Sequence, residues 1–323
     1  VELQGCSFLV TASIGIGRYP ADGTDAATLL QHADAAMYLA KDCGKNNIQF
    51  YTAELADLAA RQFELESALR LALVRDELVL HFQPKVSVSS GHILGLEALV
   101  RWHHPTRGLV PPGEFIPLAE ERGLIVPLGR WVMQQACRQI RDWRGAGLQV
   151  PPVAVNLSTR QFADEDLVDH LVSSMSACGV TAADIEVELT ESVLMSDPER
   201  ANEVLRRLHR MGVRIAIDDF GTGYSSLSYL KRFPADTVKI DRAFISGLPG
   251  DNDDAAITQA VIAMAHSLGL QVVAEGVETR EQLAALQRLG CDEAQGFLLG
   301  RPVDAARTAV LLARAFPEAS RAA

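Results

Sequence analysis

Two periods of apolar and polar positions alternate along this chain, and from Glu77 onward the switch between them is regular. Short β-branched runs read as buried strands, and longer runs with apolar residues every three or four positions read as amphipathic helices. The pattern predicts strands at 78–84, 94–102, 153–158, 185–191, 214–219, 237–241, 271–277 and 294–299. Between them it predicts helices around 113–122, 127–145, 161–177, 198–211, 225–232, 254–268, 280–289 and 303–315. Start and stop residues support several of these: Ser196-Asp197-Pro198 opens one helix, Gly212 closes it, and Gly269 and Gly290 close two others. Eight strands alternating with helices over about 240 residues is the count of an α/β fold, a (β/α)8 barrel of the TIM type. The start departs from it. The first two strands, taken as far as 78–88 and 93–102, are separated only by S-S-G-H, a hairpin signal, so the first strand is expected to be antiparallel.

Residues 1–52 carry a shorter α/β pattern: F-L-V-T-A-S-I-G-I-G as a strand, T-L-L-Q-H-A-D-A-A-M-Y-L-A-K as a helix and I-Q-F-Y as a second strand. A piece this small cannot cover both faces of its strands and is expected to be unstable by itself. A helical pattern from Ala53 to Arg75 joins it to the barrel without a Gly/Pro-rich linker, and its leucines and alanines read as packing residues. The expected domains are therefore 1–52, a linker helix 53–75, and a barrel 76–318.

The chain has 323 residues, 48% of them hydrophobic, and a net charge of −11. That balance argues against a nucleic-acid polymer or an anionic membrane as the main partner, while leaving room for a small phosphate ligand at a metal site. Five scattered cysteines without CxxC spacing read as reduced thiols. No apolar run reaches membrane-spanning length, no signal peptide opens the chain, and its first residue is not Met. A fragment of a longer cytoplasmic protein is expected, with any membrane tether upstream of residue 1.

The candidate chemistry begins at R-I-A-I-D-D-F-G-T-G-Y, residues 214–224. Neighbouring strand residues point to opposite faces, so Asp218 and Asp219 can share one site only where the strand ends and frays. Two such carboxylates repel unless a cation sits between them, and a divalent metal site is the simplest account; a turn opening on Asp-Asp is the alternative. Polar residues also interrupt the other strands near their ends: Glu97, Asn156, Glu188 and Glu191, Lys239 and Asp241, Glu275, and Gln295. Buried strands rarely hold so many carboxylates unless they are paired or metal-bound. An oxygen-only ligand set favours Mg²⁺ or Mn²⁺ over zinc, and two such ions about 4 Å apart can clamp a displacement at phosphorus.

These residues sit in E-A-L-V-R-W, P-P-G-E-F-I-P-L-A-E-E-R-G, N-L-S, E-L-T-E-S, D-D-F-G-T-G-Y-S-S-L, K-I-D-R-A-F-I, A-E-G-V-E-T and Q-G-F-L-L-G-R-P. In that order, over residues 65–315, they resemble the EAL family of cyclic-di-GMP phosphodiesterases. The first 52 residues, with T-A-S-I-G-I, Y-P-A-D-G and A-D-A-A-M-Y-L-A-K-D-C-G-K-N, resemble the C-terminal third of a GGDEF (diguanylate cyclase) domain. The GGDEF hairpin is not in this sequence, so the resemblance implies no cyclase activity; Lys41 and Lys45, near that family's phosphate site, read as solvated.

The EAL resemblance implies hydrolysis of cyclic-di-GMP to linear pGpG by water activated between two metal ions, Mg²⁺ or Mn²⁺, with Ca²⁺ inhibitory. It assigns Glu97, Asn156, Glu188 and Asp218 to the first ion, and Asp218 with Asp219 to the second. Glu275 becomes the catalytic glutamate, and Lys239 holds the water and the developing charge. Gln83, Leu99, Arg101, Asp241, Glu278 and Gln295 become substrate-binding, with Arg101 on a phosphate oxygen. Glu191 joins Glu275 and Lys239 in the catalytic set, and matches the residue anchoring the loop after Asp219, where the family forms its homodimer. Plainer readings stand beside these: Glu191 as a loop anchor, Asp241 and Glu278 as surface ion-pair partners, and Lys239 as a lysine that only neutralises the barrel interior. His103-His104 read as solvated, Trp102 and Trp131 as core aromatics, and Phe297 as a ring that could face a guanine. A receptor that binds cyclic-di-GMP without turnover is one alternative function, and a broader cyclic or linear dinucleotide phosphodiesterase using the same residues is another.

Overall fold

The period-2 segments become strands and the longer periodic segments become helices in the computed structural model, which describes residues 2–3, 6–7, 11–42, 46–221 and 232–315. The chain divides into two compact units, residues 1–71 and 72–323. In the first, β1 (Glu2–Leu3) pairs with β2 (Cys6–Ser7), and β3 (Ile14–Ile16) lies parallel to β4 (Ile48–Phe50), with α1 (Ala26–Asp42) between them in sequence. The strand expected over F-L-V-T-A-S-I-G-I-G is confined to Ile14–Ile16, and its first three residues lie outside the described residues, as does Lys45. Ile14, Ile48 and Phe50 are exposed, as expected of strands too few to cover both faces. Helix α2 (Ala53–Ala72) follows.

The second unit begins with β5 (Leu78–Ser87), β6 (Ile93–His104), β7 (Gly108–Val110), α3 (Pro112–Glu121) and α4 (Ile125–Gly145). It continues with β8 (Val153–Leu157), α5 (Thr159–Phe162), α6 (Leu167–Cys178), β9 (Ile185–Thr190), α7 (Glu191–Ser196), α8 (Pro198–Arg210) and β10 (Arg214–Phe220). The remainder is β11 (Thr237–Ile240), α9 (Arg242–Ser246), α10 (Asn252–Ser267), β12 (Gln271–Ala274), α11 (Arg280–Leu289), β13 (Glu293–Ala294), β14 (Val303–Asp304) and α12 (Ala305–Ala315). Eight strands close a ring in the order β5, β13, β12, β11, β10, β9, β8, β6 and back to β5. Within this ring the pairings of β5 with β6 and with β13 are antiparallel and the other six are parallel, while β14 and β7 add antiparallel pairings outside it, to β5 and β6. The expected antiparallel first strand is thus observed, its hairpin turning at Gly91 with φ 74°.

Strand alternation sorts the side chains of this ring. Val153, Val155, Leu157, Ile185, Val187, Leu189, Ile215, Ile217, Val238 and Ile240 face the helices and join one buried core with α4, α6, α8 and α10. The opposite faces supply Gln83, Lys85, Glu97, Asn156, Glu186, Glu188, Asp218 and Lys239, which meet one another inside the barrel. Such interiors are ordinarily filled by branched apolar residues. Here the hydrophobic stabilisation lies in the strand–helix layer, and the barrel interior is given over to charge.

Several predicted elements have different bounds. The helix expected at 161–177 is two, α5 and α6, and the helix 225–232 falls almost wholly outside the described residues. The strand expected at 294–299 stops at Ala294. A Cβ on Gly296 would lie 2.1 Å from the Val277 carbonyl oxygen, so the chain packs there backbone to backbone. It then turns, with Leu299 and Gly300 donating to the Gly296 carbonyl, and returns to pair β14 with β5.

Candidate active site

Strand β10 does not fray at its carboxylates; it runs on to Phe220 and bulges. Ile217 pairs with Val238 but Phe220 pairs with Ile240, so Asp218 and Asp219 together oppose a single residue of β11. Asp219 takes φ 52°, a left-handed conformation that Asp tolerates better than most residues, and its amide donates to Asp218 Oδ1 at 3.0 Å. This kink lets both carboxylates face one site. Asp218, Asp219 and Glu275 bring carboxylate oxygens within 4.8 Å of one another.

Lys239, only 1% exposed, stands among them from β11. Its Nζ donates to Glu188 Oε2 at 2.7 Å, Glu275 Oε1 at 2.5 Å and Asp218 Oδ1 at 3.2 Å. Glu97 lies alongside: Asn156 Nδ2 donates to its Oε1 at 2.7 Å, and Gln295 Nε2 to its Oε2 at 2.5 Å. Gln295 Nε2 also reaches Gln83 Oε1 at 3.1 Å, and Gln83 Nε2 donates to the Gly300 carbonyl. Below this set, Lys85 donates to Glu186 and to Glu188 Oε1, the latter at 3.2 Å.

Two ammonium groups, Lys85 and Lys239, therefore face six carboxylates: Glu97, Glu186, Glu188, Asp218, Asp219 and Glu275. The imbalance sets the proton affinities. Burial, reinforced by Asp218 and Glu97 against the pull of Lys239, pushes Glu275 up to about 8. Burial together with Asp218 and Asp241 pushes Asp219 up to about 6, and burial raises Glu97 as well. Burial acts on Glu188 too, but Lys239 and Lys85 outweigh it and hold that carboxyl below its ordinary value. Burial would neutralise Lys239, yet Glu188, Glu97, Glu275 and Asp218 keep it firmly charged. Carboxylates that resist ionisation for want of positive charge, with oxygen-only donors around them, fit a hard divalent cation. Gln295 Oε1 is buried with no hydrogen-bond donor among the described residues.

The site opens into a cleft of about 220 Å³ lined by Gln83, Glu97, Leu99, Asp218, Glu275, Glu278, Gln295 and Phe297, together with Arg242 and Gly276. Phe297 is half exposed on its rim with the Arg301 guanidinium 4.2 Å from the ring centroid. Of the residues singled out from sequence, Arg101 is not in this lining and donates to the Val100 carbonyl. Asp241 caps α9 through the Ala243 amide and lies beside Asp219. Glu191 is buried as the first residue of α7, after the end of the strand expected to hold it. His104 accepts from the Thr106 and Arg107 amides in the β6–β7 turn, and Trp102 is fully buried against Phe115. Lys85, Glu186 and Arg242 were not singled out. The first two were within reach, because Lys85 shares a strand face with Gln83, and Glu186 with Glu188.

Residues 66–302 match the EAL domain family, and residues 1–47 match the diguanylate cyclase, GGDEF domain family. The chain belongs to the EAL domain family. It is 50% identical over 296 residues to the bifunctional diguanylate cyclase/cyclic di-GMP phosphodiesterase MucR of Pseudomonas aeruginosa, covering 92% of this chain and 43% of that protein. It is 44% identical over 303 residues to the cyclic di-GMP phosphodiesterase NbdA of the same organism, covering 94% of this chain and 39% of that one. The EAL chain spans less than half the length of these curated relatives. The solved structure of the PaMucR phosphodiesterase in its c-di-GMP complex superposes with a TM-score of 0.73 at 51% identity, covering 76% of this chain and 99% of that one. No helix among the described residues is long and apolar enough to cross a membrane.

Proposed function

We propose that residues 76–318 are a metal-dependent phosphodiesterase that hydrolyses cyclic-di-GMP to linear pGpG, preceded by a GGDEF fragment, 1–52, and a linker helix, 53–75. The observation that carries this reading is the carboxylate cluster of Asp218, Asp219 and Glu275 at the mouth of the barrel, opening into a polar cleft. The named activities of the relatives and the c-di-GMP bound by the PaMucR structure support the same substrate.

In this reading Glu97, Asn156, Glu188 and Asp218 hold one Mg²⁺ or Mn²⁺, and Asp218 with Asp219 a second. When bound, the two ions polarise the scissile phosphodiester and acidify the attacking water. The residues of the chain do the rest. Glu275, which holds a proton up to about 8 in the metal-free site, would give it up beside the bound cations and, as a carboxylate, accept the proton of the attacking water. Lys239, permanently charged, offers its ammonium to the charge that gathers on the phosphoryl oxygens. The water oxygen joins phosphorus, the bond to the ribose 3′-oxygen breaks, that oxygen takes a proton from solvent as it leaves, and Glu275 returns its proton to solvent. Gln83, Leu99, Glu278 and Gln295 line the substrate cleft, and Phe297 offers an exposed ring face to a guanine; Arg101 and Asp241 complete the substrate-binding set. Glu191 anchors the loop after Asp219, whose residues 222–231 lie outside the described residues and through which we assign a homodimer. A larger, looser Ca²⁺ misplaces these partners and inhibits. A cytoplasmic second messenger would place the domain in the cytoplasm.

The direct test is mutational. Glu97→Ala and Glu275→Ala are each expected to abolish release of pGpG; a variant that keeps a near wild-type rate contradicts the role given to that residue.

A further inference from the structure

Glu188 stands apart from the other carboxylates because both of its oxygens are already held. Lys239 takes Oε2 at 2.7 Å and Lys85 takes Oε1 at 3.2 Å, from opposite sides of the barrel interior. All three side chains are buried, at 0% exposure for Glu188, 1% for Lys239 and 3% for Lys85. The terminal torsion of a glutamate is broad and roughly two-fold, so one hydrogen bond leaves the plane of its carboxylate loosely defined, whereas two donors on opposite oxygens fix it.

Lys85 is itself built into place. Glu186, two residues before Glu188 on the same face of β9, takes its ammonium from the other side. Directly across the β5–β6 ladder its partner is Gly95, where an added Cβ would stand 2.8 Å from Lys85 Cε. The lysine stem thus occupies the space a side chain at position 95 would need.

We propose that Lys85 is a positioning residue for the cation centre. Pinned by Glu186 and threaded over Gly95, it fixes the orientation in which Glu188 presents its carboxylate to the ion, while itself touching neither ion nor substrate. This inference rests on the metal-dependent reading above. Its scale follows from other metal sites, where loss of a group that orients a ligand weakens metal affinity about 10–100-fold.

The test titrates Mn²⁺ into the protein and follows the electron paramagnetic resonance signal of free Mn²⁺, without substrate. Lys85→Met alone strands a buried Glu186, so the variant of choice is Lys85→Met/Glu186→Met, which removes both charges at similar volume. With wild-type protein binding Mn²⁺, a folded double variant that binds about 10–100-fold more weakly supports the proposal. A folded double variant of wild-type affinity, whatever its melting temperature, makes Lys85 purely structural and overturns it. Should the double variant fail to fold, Gly95→Ala decides, because it displaces the lysine stem without altering any charge. Weaker Mn²⁺ binding supports positioning, and unchanged binding overturns it. Wild-type protein that binds no Mn²⁺ would instead sink the metal reading itself.

Discussion

Glu275 and Glu188 share one lysine and are driven in opposite directions by it. Glu188, held by two ammonium groups, keeps its charge, whereas Glu275 must compete for Lys239 with Glu188 and Asp218 and so keeps its proton up to about 8. A carboxyl that retains its proton near neutrality is suited to proton transfer, and an amide of the same shape cannot perform it. Glu275→Gln is therefore expected to lower kcat by about 10²–10⁴ while leaving KM within a few fold. Steady-state kinetics decide this: a large rise in KM with kcat intact would make Glu275 a substrate-binding group only. At this scale the sequence was informative where the fold repeats itself. Glu97, Asn156, Glu188, Asp218, Lys239 and Gln295 each break an apolar strand, and the structure brings all of them together. A lone lysine in a strand also reads as an edge or surface residue, and although Lys85 shares a face with Gln83, it is its burial and its bonds to Glu186 and Glu188 that show it pointing inward.

The elements deliver these residues through irregularities more than through regular strand. The bulge in β10 turns Asp219 beside Asp218, and the sequence alone pointed to a frayed strand end, because two consecutive side chains on regular strand face opposite ways. The early end of β13 likewise follows from a contact between Gly296 and the backbone of Val277, far apart in sequence and invisible to local periodicity. By contrast, the eight-strand barrel, the antiparallel first strand and the glycine stops at 212, 269 and 290 were legible, because alternation, turn chemistry and left-handed caps are local properties. Gly296→Ala forces a Cβ into the Val277 carbonyl and is expected to cost at least about 1–3 kcal/mol of stability, as overpacking does. It should also displace Gln295 and so weaken binding in the cleft. Denaturant unfolding checks the first point, and an unchanged midpoint would mean that the β13 turn tolerates a side chain.

Over the whole molecule, the surplus of buried carboxylate makes stability depend on pH and on cations together. The proton affinity of Glu275 in the folded protein, about 8, lies above its ordinary carboxyl value of 4.5, so the folded state binds the proton more tightly than the unfolded chain. The stability that proton supplies is complete below pH 4.5 and lost as pH rises toward 8. His81, whose affinity is lowered by burial and by Arg101, acts in the opposite sense, but only below its ordinary 6.5. Between pH 6.5 and 8 the metal-free protein should therefore melt at falling temperature. Mg²⁺ or Mn²⁺ should reverse that fall, most strongly at pH 8, by replacing the lost protons with positive charge. Thermal melts with and without chelator test this; a metal-free melting temperature that rises over the same interval would contradict the charge imbalance described here.

The most direct measurement of the central claim is cyclic-di-GMP turnover in Mg²⁺, Mn²⁺, Ca²⁺ or chelator, with linear pGpG read on a chromatogram. The account predicts product in Mg²⁺ or Mn²⁺ and none in Ca²⁺ or chelator. Binding of cyclic-di-GMP without product under every condition would contradict it and make this protein a receptor for the nucleotide.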